Sequence, residues 1–347
     1  MKSILLTGGA GFIGSNFVEL ATRRGYRVIV LDSLTYAGHR ESLEQVKGEW
    51  ELIPGDIRDE ALVLQLLQKN QCSALLNFAA ESHVDRSIHG PAAFIETNIL
   101  GTYSLLQAAR TYSQRDFVPK ADRHFRYLQV STDEVFGALG AEGRFTENTP
   151  YAPNSPYSAS KAAADHLVRA WHHTYGLDTV ITNCSNNYGP RQFPEKLIPH
   201  MIQCALDGRP LPVYGKGLNI RDWIYVGDHC QGILNALEKG DAGATYCFGG
   251  NSERKNIEVV ETLCSLLDEF SPRVDGRSYR EQIRYVEDRA GHDWRYAIDD
   301  SKAQTELGFT REVKNFEAGL RRTVEWYLAN QNWVSVVMAK KMTGDEK

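Results

Sequence analysis

Short apolar runs recur through the first half of the chain, at residues 3–7, 27–32, 50–54, 73–78, 125–131 and 178–184, with amphipathic stretches between them. Runs of this length predict strands buried on both faces, and the 3.6-residue periodicity of the intervening stretches predicts helices. Strands that alternate with helices predict a parallel, doubly wound α/β sheet of Rossmann type. Two polar stretches break the pattern. Ser113 to Arg123 is expected to be a surface insertion, and Gly137 to Ser155 a loop over a cleft. After Pro190 the elements shorten and Pro194, Pro199, Pro210 and Pro212 crowd the chain, which predicts a smaller carboxyl-terminal lobe that binds substrate. The expected division is 1–187 for the dinucleotide-binding unit, 188–337 for the second lobe and 338–347 for a polar, frayed tail. Ala92 to Arg110 and Pro156 to Tyr175 read as long helices with small or apolar residues on more than one face, so each should bury a second face.

A chain of 347 residues exceeds the size at which one core stops growing, which agrees with two lobes sharing a cleft. A net charge of -5 and the lack of a dense Lys/Arg run argue against nucleic-acid or membrane-surface partners. No apolar run is long enough to span a bilayer. The first run is broken by Gly8 and Gly9 and has no cleavage-site pattern, so a signal peptide is not expected and cytoplasmic residence is. The six cysteines are scattered through apolar segments, which argues against a disulfide framework. None forms a Cys-x-x-Cys pair and His172-His173 lacks the spacing of a zinc site, so no catalytic metal is expected.

Chemistry enters at the first strand. Ile4-Leu5-Leu6-Thr7 runs into Gly8-Gly9-Ala10-Gly11-Phe12-Ile13-Gly14, and a helix follows at once. Glycine there permits a tight turn, close backbone approach to a pyrophosphate, and packing of the helix on the strand, with the helix amino terminus facing the phosphates. No Gly-Lys-Ser/Thr closes the run, which excludes a P-loop. The next strand ends in Asp32, whose carboxylate would accept from the adenosine ribose hydroxyls and repel a 2′-phosphate, favouring NAD over NADP.

Farther along, Phe125 to Val130 reads as a buried parallel strand, so Ser131-Thr132-Asp133-Glu134 falls at its carboxyl end, where open α/β sheets bind ligands. Tyr157 and Lys161 stand one helical turn apart, a spacing that lets an ammonium lower the pKa of a phenol. Such a phenolate can take a proton from an alcohol. Two adjacent carboxylates in a cleft push each other's pKa apart, so one stays protonated as an acid while the other works as a base. Elimination of water needs one of each.

These motifs, with Asn187-Tyr188-Gly189-Pro190, Arg221-Asp222-Trp223 and Asp288-Arg289-Ala290-Gly291-His292-Asp293, resemble the extended short-chain dehydrogenase/reductase family from about Lys2 to Tyr327. The Thr-Asp-Glu triplet resembles the nucleotide-sugar dehydratases within it, because related epimerases carry small or neutral residues at the positions of Asp133 and Glu134. Phe136 departs from the family's more usual Tyr, with an effect expected on packing. The resemblance implies NAD held by Gly8, Gly11, Phe12, Ile13, Gly14, Asp32, Thr35, Asp56, Ile57, Ala79, Ala80, Thr97, Tyr157, Lys161 and Asn187. It implies dTDP-glucose as substrate, contacted by His83, Thr132, Asp133, Glu134, Asn186, Lys196, Leu197, Pro212, Tyr214, Arg221, Asn256, Asp288 and His292, with the turn at 289–292 closing over the diphosphate. Thr132, Asp133, Glu134, Tyr157 and Lys161 form the implied catalytic set. The chain would re-cross to the first lobe around 222–250, and the two long helices would pair with their mates in a four-helix bundle, making a homodimer. Three other readings compete: a nucleotide-sugar 4-epimerase using Tyr157 and NAD without the acid pair, a 4,6-dehydratase of another nucleotide hexose, and a redox-sensing binding module without turnover.

Overall fold

The computed structural model describes residues 1–114, 125–288 and 292–344, with side chains to 339. The expected insertion at Ser113 to Arg123 lies mostly outside them, as do Arg289, Ala290 and Gly291. Strand β1 (Ser3–Thr7) leads into helix α1 (Phe12–Arg23), then β2 (Arg27–Asp32), β3 (Trp50–Pro54), α2 (Glu60–Asn70) and β4 (Ala74–Asn77). A short α3 (Val84–His89) precedes one continuous helical run: α4 (Ala92–Phe94), a π-helical segment (Ile95–Gly101) and α5 (Thr102–Gln114). Next come β5 (Arg126–Thr132), α6 (Pro156–Tyr175) and β6 (Thr179–Cys184).

Beyond these, β7 (Asn186–Tyr188), α7 (Leu197–Leu206), β8 (Leu211–Tyr214) and β9 (Ile220–Tyr225) precede α8 (Val226–Lys239) and β10 (Thr245–Phe248). The remaining elements are β11 (Glu253–Lys255), α9 (Asn256–Phe270), β12 (Ile283–Val286), α10 (Ser301–Leu307), α11 (Phe316–Ala329) and α12 (Gln331–Gly344).

Seven strands form one sheet in the order β10-β6-β5-β4-β1-β2-β3, and every neighbouring pair is parallel. Successive residues of each strand point to opposite faces. Ile4, Leu6, Val28 and Val30 therefore pack on the side of α1 and α8, and Leu5, Ile29 and Leu31 on the side of α2, α5 and α6. Both faces are covered, which is why the strands read as unbroken apolar runs. The order reverses at β1, which sits between β2 and β4, and a crevice opens at the carboxyl ends of the strands there. The chain re-enters this sheet at β10, beside β6. A three-stranded sheet β11-β9-β7 and a pair β12-β8 carry the later elements around a core that includes Ile202, Leu263, Phe316 and Tyr327.

One expectation needs correction. The segment from Met338, expected to fray, continues α12 to Gly344, because Val334 and Val337 are buried and Met338 packs partly on the core and so anchor the helix. Phe136 is buried and stacks on Phe145 at 5.1 Å between ring centroids, with Tyr151 edge-on at 5.3 Å.

Candidate active site

A cavity of about 420 Å³ follows the crevice from the end of β1 to the end of β6. At one end Gly8 adopts φ +70, and a Cβ there would stand 2.6 Å from the Ala79 amide nitrogen. A Cβ at Gly14 would stand 2.2 Å from the Gly8 carbonyl oxygen. Side chains are thus excluded and the first amides of α1 are left to face the cavity, an arrangement that fits a pyrophosphate. Asp32 ends β2, and its carboxylate accepts from the Ala10 amide at 2.9 Å and the Leu34 amide at 2.8 Å. Burial raises its pKa and these two bonds oppose the rise. Asp56 is gripped by Arg58, whose hydrogen bonds hold its pKa below the usual range. All fifteen expected cofactor positions line this cavity, Thr97 from the π-helical segment and Asn187 from β7 among them. The residues present therefore fit a dinucleotide.

Thr132, Asp133 and Glu134 stand at the carboxyl end of β5, where the chain tightens into a turn over Asp133–Phe136. The Thr132 hydroxyl accepts from the Glu134 amide at 3.2 Å and donates to Asp133 Oδ1 at 3.3 Å, so it both caps the turn and lines the cavity. Asp133 is 2 % exposed and its Oδ2 has no hydrogen-bond partner. Its carboxyl is raised well above the usual range by burial, then by the charges of Glu134 and Asp222, against the pull of Arg221. Burial and the neighbouring negative charges thus favour the neutral form of Asp133.

Helix α6 begins at Pro156 because Ser155 and Ser158 form a reciprocal capping box and proline suits the first turn. It carries Tyr157 and Lys161 into the cavity, both buried. The expectation that Lys161 depresses the Tyr157 pKa is not met. Tyr157 is raised well above its ordinary value by burial first, then by Glu134 and Cys184, and the Thr132 hydroxyl is the influence that favours its anion. Lys161 is itself lowered by burial, and its Nζ donates to the Val130 carbonyl at 2.8 Å. Loss of water, then the charge of Glu134, sets the direction.

Of the expected substrate positions, Thr132, Asp133, Glu134, Asn186 and Lys196 line the same cavity. The Asn186 Oδ1 is buried without a hydrogen-bond partner, and Lys196 Nζ donates to the Ser82 carbonyl at 2.9 Å. His83, Leu197, Pro212, Tyr214, Arg221, Asn256, Asp288 and His292 do not line it. His83 lies at its rim, 3.9 Å from the lining residue Glu195. Leu197 opens α7 beside Lys196, and Pro212 belongs to β8. Tyr214, Asp288 and His292 gather in a second patch, with His292 Nδ1 2.7 Å from Asp288 Oδ1 and its ring 6.4 Å from that of Tyr214. Asn256 opens α9 and its amide donates to the Asn219 carbonyl at 3.0 Å. Arg221 spans the two regions: it lies 4.4 Å over the Tyr296 ring, donates to the Asp293 carbonyl, and acts electrostatically on Asp133.

Sequence reasoning missed Arg58 and Glu195, which line the cavity, and Asp165, which is buried beside it. Asp165 left the clearest signal, since it continues the i, i+4 stripe of Tyr157 and Lys161.

Residues 5–323 match the model of the GDP-mannose 4,6 dehydratase family, and the chain belongs to that family. Within it the chain is similar to proteins acting on another nucleotide. It is 60 % identical to dTDP-glucose 4,6-dehydratase of Xanthomonas campestris pv. campestris (strain B100), over 97 % of this chain and 96 % of that protein. It is 53 % identical to the enzyme of the same name from Salmonella typhimurium, over 96 % and 95 %. Among solved structures, dTDP-glucose 4,6-dehydratase of Streptomyces venezuelae with NAD bound superposes with a TM-score of 0.86 at 45 % identity, over 96 % of this chain and 99 % of that one. UDP-glucose 4-epimerase of Thermotoga maritima superposes nearly as well, with a TM-score of 0.84 at 27 % identity over 95 % and 99 %. The fold therefore does not separate the two reactions, whereas the identity is far higher to the dehydratases than to the epimerase.

Proposed function

We propose that the protein is an NAD-dependent hydro-lyase that converts dTDP-glucose to dTDP-4-keto-6-deoxy-glucose. The observation that carries this is the acid pair itself: Asp133, buried with its Oδ2 outside any hydrogen bond, stands beside Glu134 at the end of β5 and faces the same cavity as Tyr157. An epimerase has no use for such an acid. NAD, bound by the glycine turn, Asp32 and Asn187, would accept the C4 hydride and return it to C6. Tyr157, as its phenolate, takes the O4 proton. The resulting 4-keto group acidifies C5, Glu134 removes that proton, and Asp133 gives its own to the departing 6-hydroxyl, which leaves as water; the protonated Glu134 then returns a proton to C5 as hydride adds at C6. Lys161 would hold the nicotinamide ribose, while Lys196 and Arg221 would answer the charge of the diphosphate.

The same reading makes the protein a homodimer. Ile95, Leu100 and Tyr103 on the run before and within α5, and Tyr175 at the end of α6, are large apolar side chains left exposed on the two helices expected to form a four-helix bundle. It also places the protein in the cytoplasm, which suits six buried free cysteines. Among the described residues no helix is long and apolar enough to cross a membrane.

Incubation with dTDP-, UDP-, CDP- and GDP-hexoses, read by NMR for a 4-keto-6-deoxy product, tests the assignment. Water loss confined to dTDP-glucose is expected. A C4 epimer formed without water loss would establish the epimerase reading instead.

A further inference from the structure

One buried carboxylate beside the reaction centre has no part in the chemistry above. Asp165 follows Lys161 by one helical turn, as Lys161 follows Tyr157, so the three occupy one stripe of α6. Asp165 is fully buried. Its Oδ2 accepts from Ser131 Oγ at 2.7 Å and from Tyr151 Oη at 3.0 Å, and its Oδ1 has no hydrogen-bond partner. Ser131 immediately precedes the Thr-Asp-Glu run, and Tyr151 comes from the loop between that run and α6. The carboxylate therefore ties three segments that meet at the site.

A buried carboxylate is costly unless a cation and hydrogen bonds compensate it, and a buried ammonium likewise. Burial lowers the Lys161 pKa, and Asp165 is the largest influence holding it up. Burial raises Asp165, and Lys161 is the largest influence holding it down, followed by Ser131, Tyr151 and Asn183. The other titratable groups facing the pair are Cys184 from β6, Tyr127 from β5 and Tyr151, each pushed up by burial and so neutral near pH 7. Tyr157 is pushed up by burial as well, and the charge of Glu134, at the turn after β5, acts on it.

We propose that Asp165 is a positioning residue for the reaction: its carboxylate, buried one helical turn beyond Lys161, is the countercharge to that ammonium and, through Ser131 and Tyr151, holds the Thr132-Asp133-Glu134 turn against α6. This rests on the reading that Tyr157 and Lys161 serve catalysis. A merely structural acid would stabilise the fold without setting the charge of Lys161.

Asp165→Asn keeps the side chain's size and removes its charge. Without the carboxylate Lys161 loses its proton at lower pH, so kcat on dTDP-glucose should fall most at high pH. The parent-to-variant kcat ratio is expected to rise between about pH 6 and about pH 9, approaching roughly tenfold at the alkaline end for each tenfold loss of proton affinity at Lys161. Ser131→Ala and Tyr151→Phe remove a hydrogen bond and no charge, and should lower kcat by a factor independent of pH. A flat ratio for Asp165→Asn overturns the proposal. Should that variant not fold, Lys161→Met/Asp165→Asn removes both charges together and should fold, melting above either single variant; failure of the double variant to fold overturns the pairing. Tyr157→Phe, assayed alongside, separates the two readings. An unimpaired Tyr157→Phe defeats the catalytic reading on which the proposal rests, whereas an inactive Tyr157→Phe with a flat Asp165→Asn ratio defeats the role of Asp165 alone.

Discussion

Asp133→Asn separates a catalytic acid from a structural one because the two roles oppose each other in sign. The folded carboxyl has a raised pKa, with burial the first cause and Glu134 and Asp222 the next. An unfolded Asp titrates near 3.9, so the favourable contribution of the neutral carboxyl is fully present below that value and is lost as pH rises through the folded pKa. Each tenfold gain in proton affinity on folding corresponds to about 1.4 kcal/mol by neutral pH. The uncharged Asn escapes this loss. It places an amide where Oδ2 had no partner, but that penalty does not change with pH. The melting temperature of the variant minus that of the parent should therefore climb across a pH series from about 4 to about 8, by roughly 2 °C for each such tenfold gain in a chain of this size. Over the same series the variant should release the 6-hydroxyl about 10²–10⁴-fold more slowly, the usual loss for a general acid. Differential scanning calorimetry gives the first slope. Single-turnover NMR of dTDP-glucose in deuterated water gives the second, with deuterium still entering C5. A melting difference that stays flat with pH, or water release within a few-fold of the parent, would refute the assignment of Asp133 as a buried acid.

Glu134→Gln keeps shape but accepts no proton, so C4 oxidation should proceed while solvent deuterium enters C5 slowly or not at all; rapid C5 exchange with normal water loss would point to another base. Tyr157→Phe removes one hydroxyl and should cost about 10²–10⁴-fold in rate, and turnover within a few-fold of the parent would exclude Tyr157 as the first base. Asp32→Ala should weaken NAD binding and relax its preference over NADP, since the carboxylate that repels a 2′-phosphate also braces the Ala10 and Leu34 amides; titration calorimetry showing the parent binding NADP as tightly as NAD would sink the cofactor assignment.

The first half of the fold was readable because its physics is local. Strands covered on both faces need continuous apolar runs, and the six that the pattern predicts coincide with β1 to β6 to within a residue at most ends. The glycine turn was readable for a similar reason: the approaches at Gly8 and Gly14 tolerate no side chain, so the requirement is written in the residue type. Elsewhere the determinants are not local. The π-helical segment at Ile95–Gly101, which brings Thr97 to the cavity and Asn98 to the backbone of Glu81, leaves no periodic trace because one wider turn does not alter which residues are apolar. The tail from Met338 looked polar, but its helix is set by Val334 and Val337 earlier in the same element.

Electrostatics was the least legible, and Tyr157 shows why. The spacing of Tyr157 and Lys161 announces an ammonium near a phenol, yet the direction in which the phenol's pKa moves depends on how deeply both are buried and on where Glu134 falls across the turn. Neither quantity exists until the fold does. Lys161 bears the cost of its own burial before it can act on anything else, and the carboxylate one turn beyond it offsets part of that cost. In the assembled cleft, then, Tyr157, Lys161, Asp165 and Asp133 are all buried, with Lys161 and Asp165 acting on each other and Asp133 acting on Tyr157. The reaction as proposed needs Asp133 protonated and Tyr157 ionised at the same pH. Burial supplies the first and opposes the second, and the Thr132 hydroxyl, which favours the ionised form of both groups, eases the second at the expense of the first. Thr132→Val should therefore move the acid limb of kcat, the limb along which Tyr157 loses its proton, to higher pH while leaving the fold intact; a pH profile superposable on that of the parent would remove Thr132 from that role.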